Sequence, residues 1–197
     1  MEHFVGKPRI KTALSYAFIC IVWAFILAIA NAWRGIRIFS IVLIIITIFI
    51  VIPGLSYSRI MWKVNQKQLS YTYHDTFFMK ICAFFRHIFI AHHLTYQINL
   101  NIDQIDYIAI TYAKIPRVPY GMYGYDILFE IHMYSGSIYS FDIFGGSLKK
   151  QDVIDAIHFM QKRGIQFIDR YHIIENLDKD ISISYYLESL ERGKSYD

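Results

Sequence analysis

Histidine is the residue type that most invites a chemical role in this chain, which contains eight of them. His87, His92 and His93 lie close together in the sequence. A zinc site needs three or four ligands at set spacings, as in an H-E-x-x-H motif or a pair of C-x-x-C motifs, and neither motif occurs. We therefore interpret these histidines as residues at the rim of a sheet or near lipid headgroups, and we predict no metal and no other cofactor.

The motifs that position a catalytic nucleophile or a phosphate group are also missing. There is no G-x-S-x-G elbow, no P-loop and no G-x-G-x-x-G sequence. The pair Gly145-Gly146 is better explained as a turn between a strand and a helix than as a phosphate cradle. No catalytic residue is predicted, and a membrane-bound enzyme of an unrecognised class stays open as an alternative.

One loop has a composition suited to binding. The segment 114–124 contains two prolines and two glycines, and it lies between two predicted strands. Lys114, Arg117, Tyr120 and Tyr123 are its candidate binding residues, because cations and aromatic rings on a stiffened loop are able to meet a headgroup or a protein groove. The alternative interpretation is an ordinary long connection within a β-hairpin.

Two apolar runs dominate the N-terminal third of the chain. Residues 12–33 and 38–58 contain no charged side chain, and each run is long enough for a helix to cross the hydrocarbon core of a bilayer, about 30 Å. A cleaved signal peptide and a buried hairpin of a soluble protein are the weaker alternatives. Because only residues 34–37 separate the runs, we predict a tight transmembrane hairpin, with a kink or an early end near Pro53 and Gly54.

Basic residues around the runs predict the orientation. Lys7, Arg9 and Lys11 precede the first run, and Arg59, Lys63 and Lys67 follow the second, against two arginines between the runs. The positive-inside rule then places both termini in the cytoplasm of a multi-pass protein of the cell membrane. The two cysteines, Cys20 and Cys82, fit a reducing compartment. The predicted membrane-interface residues are Trp33, Arg34, Arg37, Arg59, Trp62, Lys63 and Lys67.

Charge divides the chain in two. Residues 1–67 carry a net charge of +7 and residues 68–197 a net charge of −3, which together give the overall +4. Since neutralising nucleic-acid phosphates requires a basic face, nucleic-acid binding by the second part is not predicted. The lipid bilayer is the predicted partner of the first part. We thus expect a membrane anchor over residues 1–67 and a cytoplasmic domain over residues 68–169.

The second part has the alternating pattern of half-buried strands. Ile127, Phe129, Ile131 and Met133 share one face of a predicted strand, and a turn at Ser135-Gly136 leads into a second strand with Tyr139, Phe141 and Ile143 on one face. Another strand is predicted over residues 107–113. An amphipathic helix is predicted over residues 148–163, with Val153, Ala156, Ile157 and Met160 as its apolar stripe and Gly164 as its stop.

Two segments are harder to interpret. Residues 77–90 have many aromatic and β-branched side chains, so strands are preferred, with a helix lying on the membrane surface as the alternative. Residues 170–197 are expected to form a polar tail, either frayed or with a short helix around residues 184–192.

The segment Ile98-Asn-Leu-Asn-Ile-Asp-Gln-Ile-Asp-Tyr-Ile108, the turn at Ser135-Gly136 and the helix at about residues 149–163 together resemble the bacterial two-span membrane proteins that carry a pleckstrin-homology-like (PH-like) domain. The resemblance covers residues 69–165. It implies a partly open barrel of two orthogonal sheets, no catalytic site and a tendency to self-associate.

The resulting prediction is an α+β protein: an N-terminal transmembrane hairpin, then a PH-like barrel or sandwich of about seven strands capped by one C-terminal helix. Its expected function is non-enzymatic, as a module at the inner leaflet that binds a protein partner or a second copy of itself. A subunit of a membrane transporter or channel is the alternative from another class. That alternative is disfavoured because neither span carries an ionisable residue.

Overall fold

The structure is a computed structural model that describes residues 2–29, 34–58, 60–72, 74, 76–91, 96–117, 122–144, 149–179 and 182–194. It is an α+β protein in which two long apolar helices near the N-terminus are followed by two sheets. The chain forms two compact units. The helical unit comprises residues 7–59 and 72–96, and the sheet unit comprises residues up to 6, residues 60–71 and residues from 97 onward.

The two apolar helices are long enough to cross a membrane. The first, α1, is Ile10–Ile29, with a mean hydropathy of 2.3, and the second spans Gly35–Ser56, with a mean hydropathy of 3.0. Only about a fifth of each helix is buried within the protein. Side chains such as Trp23 and Phe25 are exposed, which differs from the core helix of a soluble protein. The second helix ends at Ser56, two residues before the predicted limit of residue 58.

The second helix changes from α-helical to π-helical hydrogen bonding and back again along its length. It consists of α2 (Arg34–Ile46), a π-helical segment (Thr47–Val51) and α3 (Ile52–Ser56). Pro53 lies in the first turn of α3, where its missing N–H is tolerated, so the helix continues for three more residues. The predicted irregularity near Pro53 is therefore this π-helical turn just before the proline.

Small residues let the two apolar helices approach each other. Ala13, Ala17 and Ala24 of α1 are buried within the helical unit. In addition, the Arg9 N–H donates to the Ser56 carbonyl at 3.0 Å, so the start of the first helix lies beside the end of the second. Close packing through small side chains is typical of helices that associate in lipid.

The strand prediction for residues 77–90 is wrong. Residues Phe77–Arg86 form α4, and His87–Ala91 continue it as a π-helical segment. Thr76 caps the helix by accepting a hydrogen bond from the Met79 N–H at 3.3 Å. The β-propensity of the aromatic residues is overridden because one side of the helix, with buried Phe84, packs against other helices of its unit.

The first sheet, sheet A, is antiparallel and has the order β1-β2-β3-β4. Its strands are β1 (His3–Val5), β2 (Trp62–Val64), β3 (Gln68–Tyr71) and β4 (Ile98–Asn101). The register aligns Val5, Trp62, Tyr71 and Ile98 in one row across one end of the sheet, which we call the exit row. Residues 3–5 and 60–67, which the sequence assigned to the anchor, thus belong to the sheet unit.

The exit row is where the chain leaves sheet A for the helical unit. The chain leaves after Val5 and returns at Trp62, and it leaves again after Tyr71 and returns at Ile98. In the sequence, no more than six residues separate each of these strands from the nearest described helix. Both apolar insertions therefore begin and end at the same end of one sheet.

The second sheet, sheet B, has the order β7-β6-β5-β8. Its strands are β5 (Ile105–Arg117), β6 (Met122–Met133), β7 (Ile138–Asp142) and β8 (Gln166–Ile168), and β8 runs parallel to β5. The predicted faces are confirmed, because the four alternate side chains of β6 are buried. The predicted turn is longer than two residues: the Met133 N–H bonds to the Ser137 carbonyl, and Gly136 has a φ of +83°.

Helix α5 (Lys150–Lys162) confirms the predicted amphipathic helix. Its four predicted stripe residues are fully buried, and Gly164 ends it with a φ of +86°. The chain then forms β8, α6 (Ile173–Asp178) and α7 (Ile183–Lys194). Ile173, Leu177 and Leu187 are buried, so the described part of the predicted tail packs on the sheet unit and includes the short helix expected near residues 184–192.

Trp62 lies at the centre of the sheet unit and is fully buried. Its indole packs against the rings of Phe129, at 5.7 Å between centroids, and Phe141, at 5.9 Å. Its Nε1–H donates to the Ile143 carbonyl at 3.2 Å, and Tyr71 stacks on Phe141 at 4.5 Å. Aromatic side chains from sheet A and sheet B thus form one continuous core.

We predict that Trp62→Ala lowers the free energy of unfolding by about 3–5 kcal/mol, because it leaves a cavity between the sheets. Urea unfolding of the detergent-solubilised protein, followed by circular dichroism, measures the change. Trp23→Ala is the matched control, since Trp23 is exposed on α1, and its effect is expected to stay below about 0.5 kcal/mol. Equal effects of the two substitutions would contradict this core.

Candidate functional site

The predicted binding loop is mostly a paired arm of sheet B. Cross-strand pairs continue along β5 and β6 through Lys114–Tyr125, Ile115–Gly124 and Pro116–Tyr123. Strand β8 pairs with β5 only at residues 107–109, so around position 116 the described partner of β5 is β6 alone. Proline has no N–H to donate and is tolerated there because the other side of β5 is an edge of the described sheet. The described residues of the segment are therefore paired strand residues up to Arg117 and again from Met122.

Three side chains of the arm and one side chain of α7 form an ionic cluster. The Lys114 ammonium makes an ion pair with the Glu191 carboxylate and lies 4.4 Å from the centroid of the Tyr123 ring. The Tyr125 hydroxyl donates to the same Glu191 oxygen at 3.2 Å. The hydrogen bond to Glu191 raises the pKa of Lys114, while loss of solvent and then the hydrogen bond to Glu191 raise the pKa of Tyr125. The cluster holds α7 against the arm.

The remaining predicted arm residues are described only in part. The backbone of Arg117 is the last described position of β5, and Tyr120 lies outside the described residues. Of the four predicted binding residues, the structure therefore brings Lys114 and Tyr123 together. Sequence reasoning missed Tyr125 and Glu191, because no local pattern connects a strand residue to a carboxylate 66 positions later.

A cavity of about 410 Å³ lies beside the arm within the sheet unit. Apolar side chains of β6, α6 and α7 form most of its wall, and Lys150 and two serines add polar groups. The lining residues are Tyr125, Ile127, Phe144, Lys150, Leu177, Ser182, Ile183 and Ser184. The volume falls in the range of small-ligand sites, but the lining carries no set of groups that selects one class of ligand.

The predicted membrane-interface residues fall into different environments. Trp62 is a correction: it fills the core of the sheet unit because strand β2 turns it toward Phe129 and Phe141. Lys67 lies in the turn between β2 and β3, at the opposite end of sheet A from the exit row. Arg37 is exposed on α2.

Lys63 lies in β2 and pairs with the Glu2 carboxylate at 2.7 Å, 5.6 Å from the ring centroid of Phe4. That hydrogen bond lowers the pKa of Glu2. The interaction links the segment before the first apolar helix to the strand after the second. Of the other predicted interface residues, Arg34 begins α2, and Trp33 and Arg59 lie outside the described residues.

The described histidines lie in different parts of the structure. His87 lies in the helical unit, 6.3 Å from the Tyr57 ring centroid, and His132 stacks on Tyr107 at 4.2 Å in sheet B. His92 and His93 are outside the described residues. Within the described ranges, no group of three or more His, Cys, Asp or Glu side chains is placed to hold a metal ion.

Comparison with known proteins does not place the chain in a family. No protein-family model matches the sequence, and neither a curated protein nor a solved structure matches it. The functional argument therefore depends on the two apolar helices, on the register of sheet A and on the arm.

We predict that Glu191→Gln loosens α7 from the arm, because it removes the charge that pairs with Lys114. Hydrogen exchange over residues 183–194 should become faster by about two- to fivefold, as expected for one exposed ion pair. Glu188→Gln is the matched control, since Glu188 pairs with Arg192 on the same helix. An equal or smaller effect of Glu191→Gln would contradict the proposed contact.

The contact between α7 and the arm is predicted to weaken at alkaline pH. Since the pKa of Lys114 is raised in the folded protein, the ion pair stabilises α7 throughout the neutral range. That stabilisation is lost as the pH rises above the ordinary lysine pKa of 10.5. At alkaline pH, α7 of the unchanged protein should therefore lose protection against hydrogen exchange, and α7 of Glu191→Gln should not. Hydrogen-exchange rates corrected for their intrinsic pH dependence measure this difference.

Proposed function

We propose that this chain is a non-enzymatic integral membrane protein that presents its sheet unit as an interaction or assembly module at the cytoplasmic face of the cell membrane. One observation carries the proposal: both apolar helical insertions begin and end at the exit row of sheet A. In this proposal, both ends of each insertion therefore lie on the same side of the membrane.

Strand pairing supports the placement of both chain ends on one side of the membrane. β1 precedes the two apolar helices and β2 follows them, and the two strands are hydrogen-bonded neighbours in one sheet. If the two helices are spans, an even number of crossings separates β1 from β2. This pairing is consistent with a transmembrane hairpin and inconsistent with a single crossing.

Charge favours the cytoplasm as that side. Lys7, Arg9 and Lys11 lie just before or at the start of the first helix, and Arg59 follows the second, whereas Arg34 and Arg37 of the first turn of α2 are the only basic residues at the other end of the pair. Basic flanks are retained on the cytoplasmic side during insertion. Headgroups of anionic lipids in the same leaflet attract these side chains as well.

A PH-like fold of the sheet unit is part of the proposal. Two four-stranded sheets share one core, and helix α5 follows β7 and packs its apolar stripe into that core. The parallel strand β8 after this helix, and the helices α6 and α7, extend beyond that pattern. The two sheets are not closed into a barrel.

The interaction role is supported by exposed apolar and aromatic side chains of the sheet unit. Tyr123 on the arm, Tyr134 in the β6–β7 turn, Ile138 on β7 and Tyr185 on α7 are all more than half exposed. Such side chains are enriched at protein interfaces. A protein partner or a second copy of the chain is the proposed binding partner of the sheet unit, and nucleic acid is not.

A reporter fused to the C terminus tests the topology. In a bacterial host, a green fluorescent protein fused after residue 197 should fluoresce, and alkaline phosphatase at the same position should be inactive, because the enzyme needs the periplasm. A fusion between residues 33 and 34, in the turn between the spans, is the matched control and should give the reverse result. Active phosphatase at the C terminus would reject the orientation, and release of the protein from membranes by alkaline carbonate would reject membrane integration.

A further inference from the structure

We propose that residues 77–91, α4 and its π-helical extension, form an in-plane membrane helix whose exposed apolar face lies among the acyl chains of the cytoplasmic leaflet. The inference rests on the proposed function, because it requires α1 and the second apolar helix to cross the same bilayer. It adds a third membrane contact that hydropathy does not reveal, since two helices within the described residues are long and apolar enough to span and this segment is not one of them.

The exposed face of this helix is too apolar for water. Phe78, Phe89 and Ile90 are 72%, 74% and 77% exposed, and Met79 is 47% exposed. At 100° per residue, Phe78, Met79 and Cys82 fall on one side of the helix, opposite the buried Phe84. An exposed apolar surface of this kind, which the exposed Arg86 interrupts, marks a contact with lipid or with protein.

Packing within the helical unit points to lipid. The Phe85 ring lies 5.9 Å from Phe49, and Phe84 lies 6.5 Å from Tyr57. Phe77 approaches Gly54 so closely that a Cβ atom there would lie 2.6 Å from the Phe77 ring. The helix therefore crosses the last turns of the proposed second span. At that level the surrounding medium is the boundary between headgroups and acyl chains, continuous with the lipid around the spans.

Chain geometry excludes a third crossing. Fifteen helical residues extend about 22 Å, less than the roughly 30 Å of a hydrocarbon core. The chain also enters this segment after Tyr71 and returns at Ile98, and these residues are directly paired in sheet A. The chain must therefore enter and leave the membrane on the same side.

The charge of the segment fits the proposed leaflet. Lys80 and Arg86 are the charged residues of positions 77–91, and both are basic. Arg86 is exposed, and its long side chain is able to extend from an apolar face toward headgroups. A helix with a large apolar face and basic residues is typical of interfacial anchors at anionic membranes.

Spin labelling tests the immersion of this face. Cys82 is exposed on α4 and provides a native attachment site once Cys20 is replaced by Ala. A second label is placed by Phe89→Cys in a chain with both cysteines replaced. The full-length protein is reconstituted in vesicles of phosphatidylethanolamine and phosphatidylglycerol, and the accessibility of each label to oxygen and to a water-soluble nickel chelate is compared.

Two further labelled positions serve as controls for the accessibility measurement. Val22→Cys on α1 reports the depth of a proposed span, and Ser137→Cys in the β6–β7 turn reports an aqueous position, since Val22 and Ser137 are both exposed in the structure. We expect the labels at positions 82 and 89 to favour oxygen over the nickel chelate by at least about tenfold relative to Ser137→Cys. Their depth should be less than that of Val22→Cys.

Other outcomes separate the two proposals. If labels at positions 82 and 89 match Ser137→Cys while Val22→Cys is immersed, the in-plane helix is rejected and the spans stand. If Val22→Cys also contacts the nickel chelate, the membrane proposal itself is rejected. If the α4 labels are shielded from both reagents and broaden one another in fully labelled samples, the face contacts a second copy of the chain, and lipid immersion is overturned.

Discussion

The hydrogen-bonded pairing of β1 with β2 is the constraint on which the rest of the structure depends. It joins residues 3–5 to residues 62–64 across two long apolar helices, so both ends of the helical pair must return to one sheet. Trp62 lies in this pair and fills the core between the two sheets, which makes the strand that follows the second helix an integral part of the sheet unit. The anchor and the domain are therefore interleaved in sequence and do not follow one another.

The same principle applies to the second insertion. Residues 72–96 leave sheet A beside Trp62 and return next to their starting point, because Tyr71 pairs with both Trp62 and Ile98. Both insertions thus leave and rejoin one end of a single sheet.

Local patterns predicted the elements whose periodicity is strong. The alternation of Ile127, Phe129 and Ile131 and the helical stripe of α5 both correspond to buried faces, because these periods follow directly from strand and helix geometry. The two charge-free runs correspond to the two long helices. Non-local features were missed. β1 is three residues long and pairs 59 positions away, Trp62 looked like an interface residue from its place after the second run, and aromatic content favoured strands where packing produced α4.

The candidate site was likewise predicted where the signal is local in the sequence and missed where it is not. Lys114 and Tyr123 were identified from composition, and the structure places them together on the arm. Their partner Glu191 lies on a helix that the sequence left open as a frayed tail, and it comes near only because α7 packs beside β6. Long-range ion pairs of this kind leave no trace in a single sequence.

Cross-strand disulfide formation between positions 4 and 63 tests the central pairing most directly. Phe4 and Lys63 are directly opposite in the β1–β2 register. In a chain with Cys20 and Cys82 replaced by Ala, Phe4→Cys with Lys63→Cys should form an intramolecular disulfide in native membranes under mild oxidation. Phe4→Cys with Asn99→Cys is the matched control, because Asn99 lies in the same row but three strands away, about 14 Å. Failure of the first pair to cross-link, or equal cross-linking of the control, would contradict the pairing and the topology derived from it.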